Sequence, residues 1–176
     1  MANKTKKAIV DSYLDLINDD NYEKVSVTDL VEKCSISRQT FYYHFDGMEE
    51  MIAWAFFQKT REACDAITDS RTLLETDECN IQIMNRYANI IKKASKAEEM
   101  MFLYTTIQKC ASMFLSEYLR KKARFNHVEN FDYLMDTWAY AVAARIMEEA
   151  RKDKPDFAAI TEKNYKKIID AFLSIK

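Results

Sequence analysis

The sequence predicts an all-α fold, and three observations carry that prediction. One glycine and one proline occur in 176 residues, so hairpin turns and the glycine loops that cradle nucleotide phosphates lack the residues that build them. Apolar side chains recur at helical spacing, beginning with Ile9, Tyr13, Leu16 and Ile17 at i, i+4, i+7 and i+8. Helix-capping patterns such as Ser26-Val27-Thr28-Asp29 punctuate the segments. Hydrophobic residues at 48% and charged residues at 31% exclude disorder. A chain of this length buries roughly 70% of its unfolded surface, so its core needs neither disulfide nor structural metal. With no signal peptide and no uninterrupted apolar span at the start, a cytoplasmic protein with no membrane partner is expected.

The elements follow in order. The first helix runs from about Lys4 to Asn18 and breaks at Asn18-Asp19-Asp20-Asn21. The capping box at Ser26 opens a second helix from Val27 to Cys34, and Ser37 caps a third from Arg38 to His44. Asp46-Gly47-Met48-Glu49 repeats the box and opens a fourth helix reaching about Ala66. Its run Met51-Ile52-Ala53-Trp54-Ala55-Phe56-Phe57 is apolar on every face, the mark of a helix buried on two sides, so it is the connector between a small N-terminal bundle and the rest. Long helices are then expected from about Cys79 to Lys96, Glu98 to Lys122, Val128 to Arg151 and Ala158 to Lys176. Breaks fall at Asp69-Ser70, Ser95-Lys96, Asn126 and the stop Asp153-Lys154-Pro155.

Chemistry-bearing residues are sparse. Cys34, Cys64, Cys79 and Cys110 form no C-x-x-C pair, and His44 and His127 are not at ligand spacing from them, so the thiols read as reduced core residues and no metal or cofactor is expected. Neither histidine has a recognisable Ser, Cys or Asp partner and no two carboxylates are placed by motif, so no catalytic set is expected. The net charge of −2 means that any nucleic-acid binding must arise from a local arrangement.

The second and third helices, joined by about three residues, have the spacing of a helix-turn-helix, whose second helix lies in the major groove. With Ile36, Phe41 and Phe45 turned inward, the outward set is Arg38, Gln39, Thr40, Tyr42, Tyr43 and His44. Arg can bond guanine bidentately and Gln adenine, while Thr and Tyr hydroxyls can hold phosphates. A merely solvated helix face is the alternative from spacing alone. Residues 27 to 51 resemble the N-terminal signature of TetR/AcrR-type regulators in Ile36-Ser37, Thr40-Phe41-Tyr42-Tyr43-His44-Phe45 and Glu49-Glu50-Met51, and the likeness extends from Thr5 to Phe56. The resemblance assigns DNA contact to Thr28 on the second helix and to Arg38, Gln39, Thr40, Tyr42, Tyr43 and His44 on the third. Two departures stand out. Cys34-Ser35 replaces the usual Ala-Gly, so Ser35 must take the left-handed turn, and Met48 replaces a Lys at the start of the fourth helix. Residues 1 to 45 carry six bases against seven acids, so Lys4, Lys6 and Lys7 are expected to supply much of the attraction to phosphate.

The resemblance further implies that the C-terminal helices bind a small effector and that the last two make a homodimer. Trp138 to Met147 is apolar at nine of ten positions, and Tyr165, Ile168, Ile169, Phe172 and Leu173 form a clean stripe on the final helix. Trp138, Ala141, Val142, Arg145, Tyr165, Ile168, Ile169 and Phe172 are therefore the expected interface, the alternative being that both helices only complete the protomer core. Met84, Tyr87 and Ile91 on the fifth helix and Met101, Tyr104, Thr105, Gln108 and Ser112 on the sixth could line an adaptable cavity, or could equally be packed core with a solvated stripe.

The expectation is thus a helix-turn-helix DNA-binding domain over 1–47, joined by the shared fourth helix to a helical effector-binding and dimerisation domain over 48–176. The function it implies is a homodimeric repressor that leaves a palindromic double-stranded operator when a small molecule binds. The alternatives are an activator or coregulator working through a protein partner, as in dihydroxyacetone-operon activators, and a small all-helical enzyme.

Overall fold

The computed structural model describes residues 2–68, 73–94, 96–123 and 130–166, and among them every regular element is helical. In chain order these are α1 (Ala2–Ile17), α2 (Val27–Cys34), α3 (Arg38–His44), α4 (Met48–Asp65), α5 (Leu73–Lys93), α6 (Ala97–Ala123), α7 (Phe131–Glu149) and α8 (Phe157–Ile160), the last continuing as a π-helical stretch over Thr161–Lys166. His127, Ile168, Ile169, Phe172, the breaks at Asp69-Ser70 and Asn126, and the end of the final helix lie outside the described residues, as does the side chain of Tyr165.

The bounds of α2 and α3 agree with the sequence reading because their caps are local. The Ser26 side chain accepts from the Asp29 backbone N–H, and the Asp29 carboxylate accepts from the backbone N–H of Ser26 at 2.8 Å, closing the capping box. The Ser26 hydroxyl also donates to this carboxylate at 2.6 Å, and that bond, with the one from the Ser26 N–H, holds the Asp29 carboxyl below its ordinary range. Ser35 takes the left-handed conformation, with φ 53°, where the family pattern has glycine. The turn is tied off by the Ser35 N–H to Glu32 O and the Ile36 N–H to Val31 O at 3.0 Å. At α4 the cap differs from the expected box: Gly47 is the N-cap without a side-chain bond, and Glu50, not Glu49, reaches back to the N–H of Asp46. Two adjacent glutamates make such one-residue shifts invisible to a spacing rule.

One continuous core runs through the molecule. α4 is its axis, with Met51, Ile52, Ala55, Phe56, Thr60, Ala63 and Cys64 buried; it packs on α1 on one side and on α5 and α6 on the other. α7 packs on α6, and α8 closes against α5 and α7. α5 begins about a turn and a half before the expected Cys79. Asp77, which lies before the expected start, is buried inside its first turns.

Candidate DNA-reading surface

α3 is short, and both of its ends are specified by side chains. Ser37 accepts the Thr40 N–H at 3.0 Å, and its hydroxyl also meets that of Thr40 at 2.9 Å. Phe41 and Phe45 are fully buried one turn apart, with ring centroids 6.0 Å apart, and lock the rotation of α3 against α1 and α4. Locking the inward face determines the outward one: Arg38, Gln39, Tyr42 and Tyr43 are exposed together, Tyr43 to 82%. The Arg38 guanidinium donates to the Thr28 hydroxyl, so the first residue of α3 is braced on the start of α2. His44 is half-buried and meets the Tyr43 ring edge-on at 5.1 Å. Thr40 is half-buried and its hydroxyl belongs to the cap of α3.

The three N-terminal lysines do not share one environment. Lys6 is half-buried, its ammonium 4.6 Å from the Phe45 ring centroid and 5.8 Å from that of Trp54. Lys4 and Lys7 are exposed and border a groove between α1, α4 and α5. A planar guanidinium, a carboxamide and two phenols on one rigid exposed helix can reach base edges and phosphates in a major groove, which is wide enough to admit an α-helix.

Behind this unit, several contacts tie it to the later helices, among them Arg86 with Asp11 at 3.1 Å and Asn89 donating to Asn18 at 2.9 Å. Lys24 pairs with Glu99 of α6 at 2.8 Å, and Lys93 of α5 reaches the carbonyls at the end of α1.

The expected effector residues are dispersed. A cavity of about 40 Å³ lies where α4, α5, α6, α7 and α8 meet, and Met84 is the one expected residue on its wall. Tyr87 is packed against Phe56 at 4.8 Å and Ile91 is buried in the core. On α6 the expected stripe faces elsewhere: Met101 is 66% exposed, the Tyr104 hydroxyl donates to Tyr140 O at 2.8 Å, Thr105 to Met101 O at 2.8 Å, and Ser112 bonds Asp136 at 2.5 Å. Gln108 is buried but is not on the cavity wall. The wall is supplied instead by Ile107, Cys110, Ala111 and Phe114, about a third of a turn around α6. Four polar residues of the wall, Thr60, Asp77, Asn80 and Thr161, were missed. The signal was present, since Asp77, Asn80, Ile81 and Met84 recur at i, i+3, i+4 and i+7, but it requires α5 to begin before Cys79.

Of the expected interface residues, Val142 is 1% exposed and belongs to the protomer's own core, which removes it from any surface. Trp138 is half-buried, Ala141 is exposed, and Arg145 is exposed and paired with Glu148 at 3.3 Å. The free face of α7 lies beside the expected one and carries Tyr133, Leu134, Thr137, Tyr140, Ala141 and Ala144.

Comparison with known proteins places these observations. Residues 9–54 match the model of bacterial regulatory proteins of the tetR family. The HTH-type dhaKLM operon transcriptional activator DhaS of Lactococcus lactis subsp. lactis (strain IL1403) is 38% identical over 52 residues. That alignment covers 30% of this chain and 28% of the relative. The solved structure of a dihydroxyacetone kinase operon activator, DhaS, superposes with a TM-score of 0.66, covering 97% of this chain and 94% of the other at 20% identity; the fold is therefore shared along almost the whole length. Residues 9–54, set in this all-α fold, are thus similar to the bacterial regulatory proteins of the tetR family.

Proposed function

We propose that the chain is a homodimeric transcription regulator that inserts one α3 from each copy into adjacent major grooves of a palindromic double-stranded operator. The observation that carries this reading is the locked rotation of α3, which presents Arg38, Gln39, Tyr42 and Tyr43 together on an exposed face. Residues 1–47 read DNA, and 48–176 receive a small effector and pair with the second copy. Tyr133, Leu134, Tyr140, Ala141 and Ala144 on α7 supply an apolar stripe for that pairing, and two-fold symmetry would set the half-site spacing. The effector acts by population shift: it favours packings of α4, α5 and α6 in which the two reading helices are wrongly spaced, and the protein then works as a cytoplasmic repressor. No catalytic role is assigned to any side chain, and none of the described helices is long and apolar enough to cross a membrane.

Both relatives are named as operon activators, which favours a second reading in which the same operator complex activates, alone or through a protein partner. Selection of bound fragments from random DNA tests the shared core of the two readings. A palindromic site whose affinity falls with rising salt is the expected result, and binding without sequence preference would overturn it. A reporter behind the selected site then decides the sign.

A further inference from the structure

The cavity between α4, α5, α6, α7 and α8 has an apolar wall, with Met84, Ile107, Phe114, Ile146 and Phe157 among its residues, and one ionisable carboxylate set into it. Asp77 is 3% exposed. Its Oδ1 accepts from Asn80 Nδ2 at 2.9 Å and its Oδ2 accepts from the Thr161 hydroxyl. Both donors are neutral, and among the described residues no Lys, Arg or His pairs with it. Burial pushes the carboxyl up to about 6.

A buried carboxylate held only by neutral donors is costly, and an uncharged asparagine could make similar bonds at lower desolvation cost. Among the described residues two of its roughly four acceptor positions are used, which leaves room for a further donor. An anionic guest would be repelled. A metal lacks a ligand set, since no group of three His, Cys, Asp or Glu residues gathers among the described residues. An organic cation satisfies both the carboxylate and the wall: its ammonium takes the free acceptor positions and its apolar body lies against Met84 and Phe114.

Resting on the reading of the C-terminal helices as a sensor, we infer that the effector is a small lipophilic amine whose ammonium pairs with Asp77. The present volume of about 40 Å³ holds a head group and not a body, so binding must open the cavity. The element that gives way is the closing one. α8 has four residues and passes at once into the π-helical stretch that carries Thr161, and an ammonium that displaces the Thr161 hydroxyl from Asp77 frees that stretch from α5.

The test uses the full chain and two probe series, n-alkylammonium salts from propyl to hexyl and the n-alcohols of the same lengths, read by thermal unfolding. The amines are expected to raise the midpoint progressively with chain length, and the alcohols to bind at least tenfold more weakly. Asp77→Asn should reduce amine affinity at least tenfold. Equal binding of amines and alcohols, or an unchanged response in Asp77→Asn, overturns the inference. Should Asp77→Asn not fold, the wild type answers alone. Amine affinity is expected to drop as pH falls below about 6, because the carboxylate protonates; affinity that stays flat from pH 8 to pH 5 overturns the inference. Cys110, the other titratable group on the wall, is held neutral by burial, which pushes its thiol up to about 12. DNA binding measured on the same samples separates the two readings. Operator binding with no amine shift removes the amine site alone, and amine binding through Asp77 in a protein without affinity for any DNA removes the regulator alone.

Discussion

Lys93, the last residue of α5, donates its ammonium to the carbonyl of Ile17, the last residue of α1, at 2.8 Å. The same ammonium reaches the carbonyls of Tyr22 at 2.5 Å and Asp19 at 3.3 Å, so one cation satisfies three oxygens where α1 ends and the chain turns toward α2. A positive charge is favoured there twice over, by the unpaired carbonyls and by the negative end of the helix dipole. Lys93→Met should cost about 1–3 kcal/mol, seen as a lower denaturation midpoint, because the carbonyls keep their burial and lose their donor. It should also reduce the difference in operator affinity between effector-free and effector-bound protein, since α5 then keeps only its remaining ties to α1, such as Arg86 to Asp11 and Asn89 to Asn18. An unchanged difference would place the coupling in α4 and the other contacts, such as Lys24 to Glu99 and Arg86 to Asp11.

On the reading face, Arg38→Ala or Gln39→Ala should cost about 1–3 kcal/mol at the selected operator and little on random DNA. Tyr42→Phe should weaken both by similar factors, as a lost phosphate contact does. Parallel titrations on the two DNAs decide the matter, and an equal loss on both for Arg38→Ala would remove its role in base reading. Thr40→Ala is a test of the α3 cap, because its hydroxyl meets that of Ser37.

Stability should carry the imprint of Asp77. Its folded carboxyl is raised to about 6 from an ordinary 3.8, so the native state binds the proton more tightly than the unfolded chain does. The associated stability is present below the unfolded value and is lost as pH rises through the folded one, a window of roughly pH 4 to 6 and about 3 kcal/mol. Urea denaturation at several pH values should show this fall in wild type and not in Asp77→Asn. An identical profile in both would mean that the carboxylate is solvated in the folded protein.

The two alanines at positions 141 and 143 should behave oppositely. Ala141 is exposed on α7, so Ala141→Glu should leave a folded protein that sediments as a monomer. Ala143 is 0% exposed within the protomer, so Ala143→Glu buries a carboxylate without a partner and should unfold the chain. A folded dimer of Ala141→Glu would move the pairing surface away from this stripe.

What could be read before the structure depended on the range of the interactions involved. Ser26, Asp29, Ser37 and the left-handed Ser35 act within a few residues, and α2 and α3 came out with the expected bounds. Asp77 bonds a partner 84 positions away, Thr161, which no local pattern marks, and the local pattern opens the fifth helix only at about Cys79. The stripe Met101, Tyr104, Thr105 and Ser112 has a helical period whichever neighbour it faces, so periodicity alone could not decide between a cavity and the surface. Val142 looked available for pairing because an alanine-rich helix is apolar on more than one side, and only packing on α6 shows which side is taken.

The seat of Lys6 over Phe45 and Trp54 bears on the ionic strength at which such a protein can work. Each phosphate neutralised by a cation releases counterions and steepens the fall of log affinity against log salt by about 0.9. An ammonium held on aromatic faces is withheld from that exchange, so the slope should fall short, by about one such step, of what three free N-terminal lysines would impose. Binding then rests more on geometry than on counterion entropy.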